Sequence, residues 1–200
     1  SDADYLSAGA TIVDSAKEIF AEADLVVKVK EPQAIERKML RQGQLLFTYL
    51  HLAPDPEQTK DLVDSGAVCI AYETVTDNRG GLPLLAPMSQ VAGRMSIQAG
   101  AHCLEKEAGG RGVLLGGVPG VAPAKVVVIG GGVVGENATY MAIGLGADVT
   151  VIDRNIDTLR SLVVRFGQSI KTVYSTGHTI EEQVLSADLV IGGVLVPGAE

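Results

Sequence analysis

Apolar residues in this chain come in short bursts separated by polar, helix-forming stretches, and the alternation runs from one end to the other. Residues 25–30, Leu25-Val26-Val27-Lys28-Val29-Lys30, are rich in valine and are stopped by Pro32, which cannot donate to a ladder, so they predict a strand. Residues 33–42 have helical composition ended by Gly43, and 45–50 predict a second buried strand. Pro54-Asp55-Pro56 predicts a helix start, with Gly66 as the stop near Ser65. Residues 67–72 predict a third strand, followed by a loop at Asn78-Arg79-Gly80-Gly81 and Pro83. From 89 to 107 a long helix is expected, with Met95, Ala99 and Cys103 at helical spacing. After a glycine-rich connection at 108–123 the pattern restarts. Strands at 125–129, 148–152, 171–174 and 189–191 alternate with helices at 136–145, 156–166 and 180–185. Such alternation implies an α/β fold with parallel sheets covered on both faces, here two α/β units joined by the long helix.

Composition adds one feature to this picture. The chain has 24 glycines in 200 residues, about 12% against a usual share of about 7%. They cluster between Gly109 and Gly146, which points to backbone approach to a ligand. Within that cluster, Gly130, Gly132 and Gly135 satisfy G-x-G-x-x-G directly after the strand Val126-Val127-Val128-Ile129 and at the start of a helix. Asp153 stands at the end of the next strand, 23 residues after Gly130. That βαβ context is what makes the pattern a dinucleotide fingerprint of the Rossmann type. Gly130 makes the tight turn, Gly132 admits a pyrophosphate, and Gly135 lets helix and strand pack closely. The helix N-terminus near Val133 offers free N–H groups to phosphate. Asp153 is expected to accept the adenosine ribose hydroxyls and to repel a 2′-phosphate, which favours NAD over NADP, although the neighbouring Arg154 is able to receive that phosphate.

Several function classes are disfavoured. Sixteen Lys and Arg against 24 Asp and Glu give a net charge of −8, which opposes the counterion release that drives nucleic-acid binding. The longest apolar run, 113–124, contains Pro119 and Pro123 and is well short of the roughly 20 residues of a membrane-spanning helix. The opening Ser1-Asp2-Ala3-Asp4 has no basic n-region, so no signal peptide is expected and the cytoplasm is the default location. Cys69 and Cys103 lack C-x-x-C spacing and are expected as reduced thiols; His51, His102 and His178 lack metal-ligand spacing, and no metal is expected. There is neither a P-loop motif nor a G-x-S-x-G elbow.

A dinucleotide needs a redox partner. Lys28 and Lys30 fall on one face near the C-terminal end of the first strand, and His51 follows directly on the second. Ligands of open α/β sheets bind beyond the carboxyl ends of the strands. A cation there holds a carboxylate or polarises a carbonyl, and an imidazole exchanges its proton near neutral pH. Spacing alone favours the plainer reading, a solvated lysine and a structural histidine.

The segments Lys28-Val29-Lys30-Glu31-Pro32, Leu46-Phe47-Thr48-Tyr49-Leu50-His51-Leu52-Ala53, Ile70-Ala71-Tyr72-Glu73-Thr74 and Pro83-Leu84-Leu85-Ala86-Pro87-Met88-Ser89 resemble those of bacterial alanine dehydrogenase. So do the run from Gly109 to Val121 and the closing Ala187-Asp188-Leu189-Val190-Ile191-Gly192. The resemblance covers essentially the whole chain. It implies a cytoplasmic enzyme, usually a hexamer, that interconverts L-alanine with pyruvate and ammonium using NAD. It further implies that Lys30 binds substrate, that His51 is the catalytic acid/base, and that Ser89, Val133, Val134, Asp153, Ser175, Val194 and Leu195 contact the cofactor. Thr158 stands where the family often has a basic residue.

The corresponding domains are 1–88, a partial substrate domain, 89–107, the connecting helix, and 108–200, a partial NAD-binding Rossmann domain. Family chains are longer, so the sequence is expected to be a fragment lacking a substrate arginine and a catalytic aspartate, and inactive alone. Two alternatives are the NAD-binding part of a proton-translocating transhydrogenase, which would not need Lys30 and His51, and a non-catalytic dinucleotide-binding module.

Overall fold

The computed structural model describes residues 1–195. The chain divides into two units, Ser1–Leu85 and a second beginning at Ala86; residues 196–200 of the expected 108–200 domain lie outside the described residues.

The first unit holds a three-stranded parallel sheet in the order β1-β2-β3, formed by β1 (Leu25–Val27), β2 (Leu45–Thr48) and β3 (Val68–Ala71). Its helices are α1 (Asp2–Ser7), α2 (Ala16–Glu22), α3 (Ala34–Arg37) and α4 (Pro56–Ser65), with a 3₁₀ turn at Tyr72–Thr74. Phe20, Val26, Leu46, Leu50 and Leu62 form its core. The α4 signals act as expected: Asp55 accepts from the Gln58 N–H, Pro56 sits in the first turn, and Gly66 closes the helix at φ 65°.

Two expected elements are shorter. The helix expected at 33–42 is only α3: after Arg37 the bonds tighten to turns, Met39 N–H to the Glu36 carbonyl and Leu40 N–H to the Arg37 carbonyl, while the Arg37 side chain folds inward to Asp61 at 2.7 Å and to the Pro32 carbonyl. The strand expected at 25–30 ends at Val27. Beyond it two backbone bonds to β2 persist, Lys28 N–H to the Phe47 carbonyl and Tyr49 N–H to the Val29 carbonyl, and the fully buried Thr48 hydroxyl, shared between the carbonyls of Val29 (3.1 Å) and Lys30 (2.9 Å), adds a side-chain tie.

The second unit opens with α5 (Ala86–Cys103), three residues earlier than the expected 89 start and four short of 107. A parallel sheet in the order β6-β5-β4-β7 follows, from β4 (Lys125–Ile129), β5 (Asp148–Asp153), β6 (Ile170–Tyr174) and β7 (Leu189–Gly192). Its helices are α6 (Val133–Gly144), α7 (Ile156–Phe166) and α8 (Gly177–Ser186). Val126, Val128, Val149 and Val151 on one face and Val127 and Ile152 on the other are essentially fully buried, as a sheet covered on both faces demands. α5 packs on α6 so closely that a Cβ at Gly93 would stand 2.2 Å from the Val134 carbonyl oxygen. Strand order reverses beside β4, with β5 on one side and β7 on the other, and the carboxyl ends of β4 and β7 form the crevice where such sheets bind ligands.

Candidate functional site

In the second unit the glycine turn lies at that crevice. Gly130 has φ +95°, and a Cβ on it would stand 2.8 Å from the Gly193 carbonyl oxygen. Gly135 sits in the first turn of α6, where a Cβ would fall 1.8 Å from the Gly130 oxygen. Gly132, the residue before α6, would meet nothing within 4 Å. Two glycines are therefore required by packing and the third by none of the protein's own atoms, which leaves an open cradle at the helix N-terminus, where free N–H groups can hold a phosphate. Val133 is 40% exposed, and Val134 is half-buried under α5.

Asp153, the last residue of β5, is fixed by the turn it serves. Its Oδ2 accepts from the Gly131 N–H at 2.6 Å and its Oδ1 from the Asn155 N–H at 2.7 Å, so each oxygen keeps acceptor capacity for a hydroxyl. Arg154 is exposed. Ser175 follows β6 and donates its N–H to the Asp153 carbonyl at 3.0 Å. Val194 and Leu195, both exposed, follow β7 on a backbone anchored by Gly193 N–H to Ile129 O at 2.8 Å. Ser89 is half-buried on α5, one turn before Gly93. Thr158 packs beside Gly131.

In the first unit the end of β2 brings the Lys30 segment and His51 together through backbone and Thr48. The structure separates the two lysines. Lys28 is committed to Glu36 at 2.5 Å and is mostly buried, whereas the Lys30 side chain is 70% exposed and meets only Glu31, at 3.1 Å. Since β1 ends at Val27, strand alternation does not put these two lysines on one face; their environments decide between them, in favour of Lys30 as the available cation. The Glu31 carboxyl is held below the usual carboxylate range by its own backbone bond and by Lys30, with the His51 charge contributing.

His51 is the sole non-glycine residue with positive φ among the described residues, at 47°. Glu73, in the 3₁₀ turn after β3, accepts from the N–H groups of His51 at 2.6 Å and Leu50 at 3.0 Å, and this bonding was not legible in the sequence. Only glycine takes φ near 47° without strain. His51→Gly should therefore fold more stably than His51→Ala by about 1 kcal/mol, measured by denaturant melting.

Burial pushes the Cys69 thiol up, as for an unreactive thiol. Among the described residues no His, Cys, Asp and Glu cluster could hold a metal, and no helix is long and apolar enough to cross a membrane.

A family model described as Alanine dehydrogenase/PNT, C-terminal domain, matches residues 96–200, and its N-terminal counterpart matches 1–92. The chain belongs to the alanine dehydrogenase/PNT family. It is 61% identical to the alanine dehydrogenase of Halomonas elongata over 199 residues, which cover 100% of this chain and 54% of that one. Against the alanine dehydrogenase of Bacillus subtilis the identity is 56%, covering 98% of this chain and 51% of the relative. The chain thus spans about half the length of the curated relatives it matches, 54% for the first. A solved L-alanine dehydrogenase matches with TM-score 0.84 and 53% identity, over 100% of this chain and 55% of that one. A transhydrogenase from Sinorhizobium meliloti matches at TM-score 0.73 and 25% identity, over 99% and 57%. The α/β fold with parallel sheets is that of this family.

Proposed function

We propose that the chain is part of an NAD-dependent alanine dehydrogenase that interconverts L-alanine and water with pyruvate and ammonium. The observation that carries this reading is His51, held in a left-handed conformation beside the Lys30 segment, a device that nucleotide binding alone does not need. The high identity to alanine dehydrogenases, against 25% to the transhydrogenase, supports it further.

The space at Gly132 and the N–H groups opening α6 take the pyrophosphate. Asp153 accepts the adenosine ribose hydroxyls, Ser175 lies on the adenine side, Val194 and Leu195 on the nicotinamide side, and Ser89 adds a cofactor contact. Once bound, the dinucleotide supplies an acceptor for the hydride of the alanine Cα. Lys30 holds the carboxylate end of the substrate. His51 takes a proton from the water that adds to the resulting imine carbon and returns it to the departing nitrogen, which leaves pyruvate and ammonium. In this assignment the first unit serves the substrate and the second the nucleotide, in a cytoplasmic homo-oligomer, hexameric by family likeness.

Absorbance at the NADH band, recorded on the full-length protein with excess L-alanine and NAD, tests the activity. An absence of alanine-dependent signal from folded, NAD-binding protein would sink it. For cofactor choice, Asp153→Ala should weaken NAD binding by about 1–3 kcal/mol, the range of charge-assisted bonds, and narrow the NAD/NADP gap. A full-length protein that prefers NADP before substitution would transfer the role to Arg154.

A further inference from the structure

Two side chains, Gln58 and Glu73, bond to the two successive peptides that lead into His51. Gln58, from α4, is 1% exposed, and its Nε2 donates to the Leu50 carbonyl. The Gln58 backbone is itself fixed by its N–H donating to Asp55 Oδ1 at 2.8 Å. From the other side Glu73 accepts from the Leu50 N–H at 3.0 Å and the His51 N–H at 2.6 Å. Donor and acceptors thus come from two different elements, α4 and the 3₁₀ turn after β3, and both grip the segment that leaves β2. A buried amide and a carboxylate are costly to bring to one place unless their bonds are made, and here their bonds go to backbone that carries no chemistry of its own. The residue they hold has the unfavourable φ of 47°. Backbone strain of this kind persists only where surrounding bonds over-determine it.

We infer that Gln58 and Glu73 form a clamp that sets the position of the His51 imidazole, and that both are positioning residues for the proton transfer. This inference rests on the reading of His51 as the acid/base. Without the Glu73 carboxylate two N–H groups lose their acceptor, and without the Gln58 amide a carbonyl is orphaned. Either loss lets the Leu50–His51 peptide relax toward ordinary φ and carries the imidazole away from the substrate. Misplacement of a catalytic group lowers the rate of chemistry with little effect on binding elsewhere.

The test uses the full-length protein with Glu73→Leu, Gln58→Met, His51→Ala and the double variants with His51→Ala. Glu73→Leu and Gln58→Met should each lower kcat by about 10–100-fold with the KM for NAD unchanged. On the His51→Ala background neither should lower kcat further, because the group they position is gone. Hydrogen exchange at the Leu50 and His51 amides should quicken by about tenfold or more in Glu73→Leu, a change that does not depend on activity. If Gln58→Met fails to fold, the half-buried Glu73 carries the test by itself. Unchanged kcat and amide exchange in Glu73→Leu, with turnover lost in His51→Ala, would overturn the clamp and leave the function standing. Equal losses of kcat with and without His51 would also overturn it, since they would mark a general structural role. Full turnover in His51→Ala would instead remove the function on which the clamp rests.

Discussion

Replacing His51 with alanine in the full-length protein should lower alanine-dependent turnover by about 10²–10⁴-fold, the usual contribution of a positioned acid/base, with NAD affinity nearly unchanged. The separation follows from where the residue sits. His51 belongs to the Ser1–Leu85 unit, at the end of β2, while the glycine turn and Asp153 belong to the unit that begins at Ala86. Steady-state kinetics with alanine varied, together with calorimetric titration of NAD, checks both halves of the statement. Lys30→Ala should behave differently: loss of a cation that holds the substrate raises the KM for pyruvate as well as lowering the rate. Normal pyruvate saturation in Lys30→Ala would remove that lysine from the site.

The second large effect comes from one substitution made at two glycines. Gly135→Ala places a methyl 1.8 Å from the Gly130 carbonyl oxygen. Backbone faces backbone there, so relief requires moving α6 off β4, at a cost of about 3 kcal/mol or more. Gly132→Ala has open space around it and an ordinary φ of −69°, so the fold should survive with a loss of about 1 kcal/mol or less. The methyl occupies the approach of the pyrophosphate and forfeits one or two charge-assisted bonds, so dinucleotide affinity should drop by about 10–100-fold. Thermal melts and nucleotide titrations of the two variants, run side by side, check the opposite patterns. A Gly132→Ala protein that binds the dinucleotide normally would contradict the cradle.

How much of this was legible in the sequence differs between the two units. In the second, strands buried on both faces are continuous β-branched runs, and Val126-Val127-Val128-Ile129 followed by the glycines marked β4 to the residue, whereas α6 begins at Val133, three residues before the expected 136. The place of Asp153 at the end of β5 was readable too, although its bond to Gly131 N–H was not. In the first unit the strands are three or four residues long, and side chains add bonds to the backbone just beyond their ends. Thr48 on the Lys30 segment, Gln58 on Leu50 and Glu73 on His51 leave no periodic trace, because a polar residue bonding to distant backbone looks like any other polar residue. One further element was within reach. Ser15 and Glu18, spaced as a capping box, open α2 and bring Phe20 into the core, with the Glu18 N–H donating to the Ser15 hydroxyl.

Incubation of the full-length protein with NAD and L-alanine deuterated at Cα, followed by mass spectrometry of every product, tests the assigned reaction most directly. The expected result is deuterium on the reduced nicotinamide, with pyruvate and ammonium formed in equal amounts to it. Folded, NAD-binding protein that leaves the deuterium on alanine at saturating concentrations of both substrates, or releases it to water without reducing the dinucleotide, would contradict that assignment.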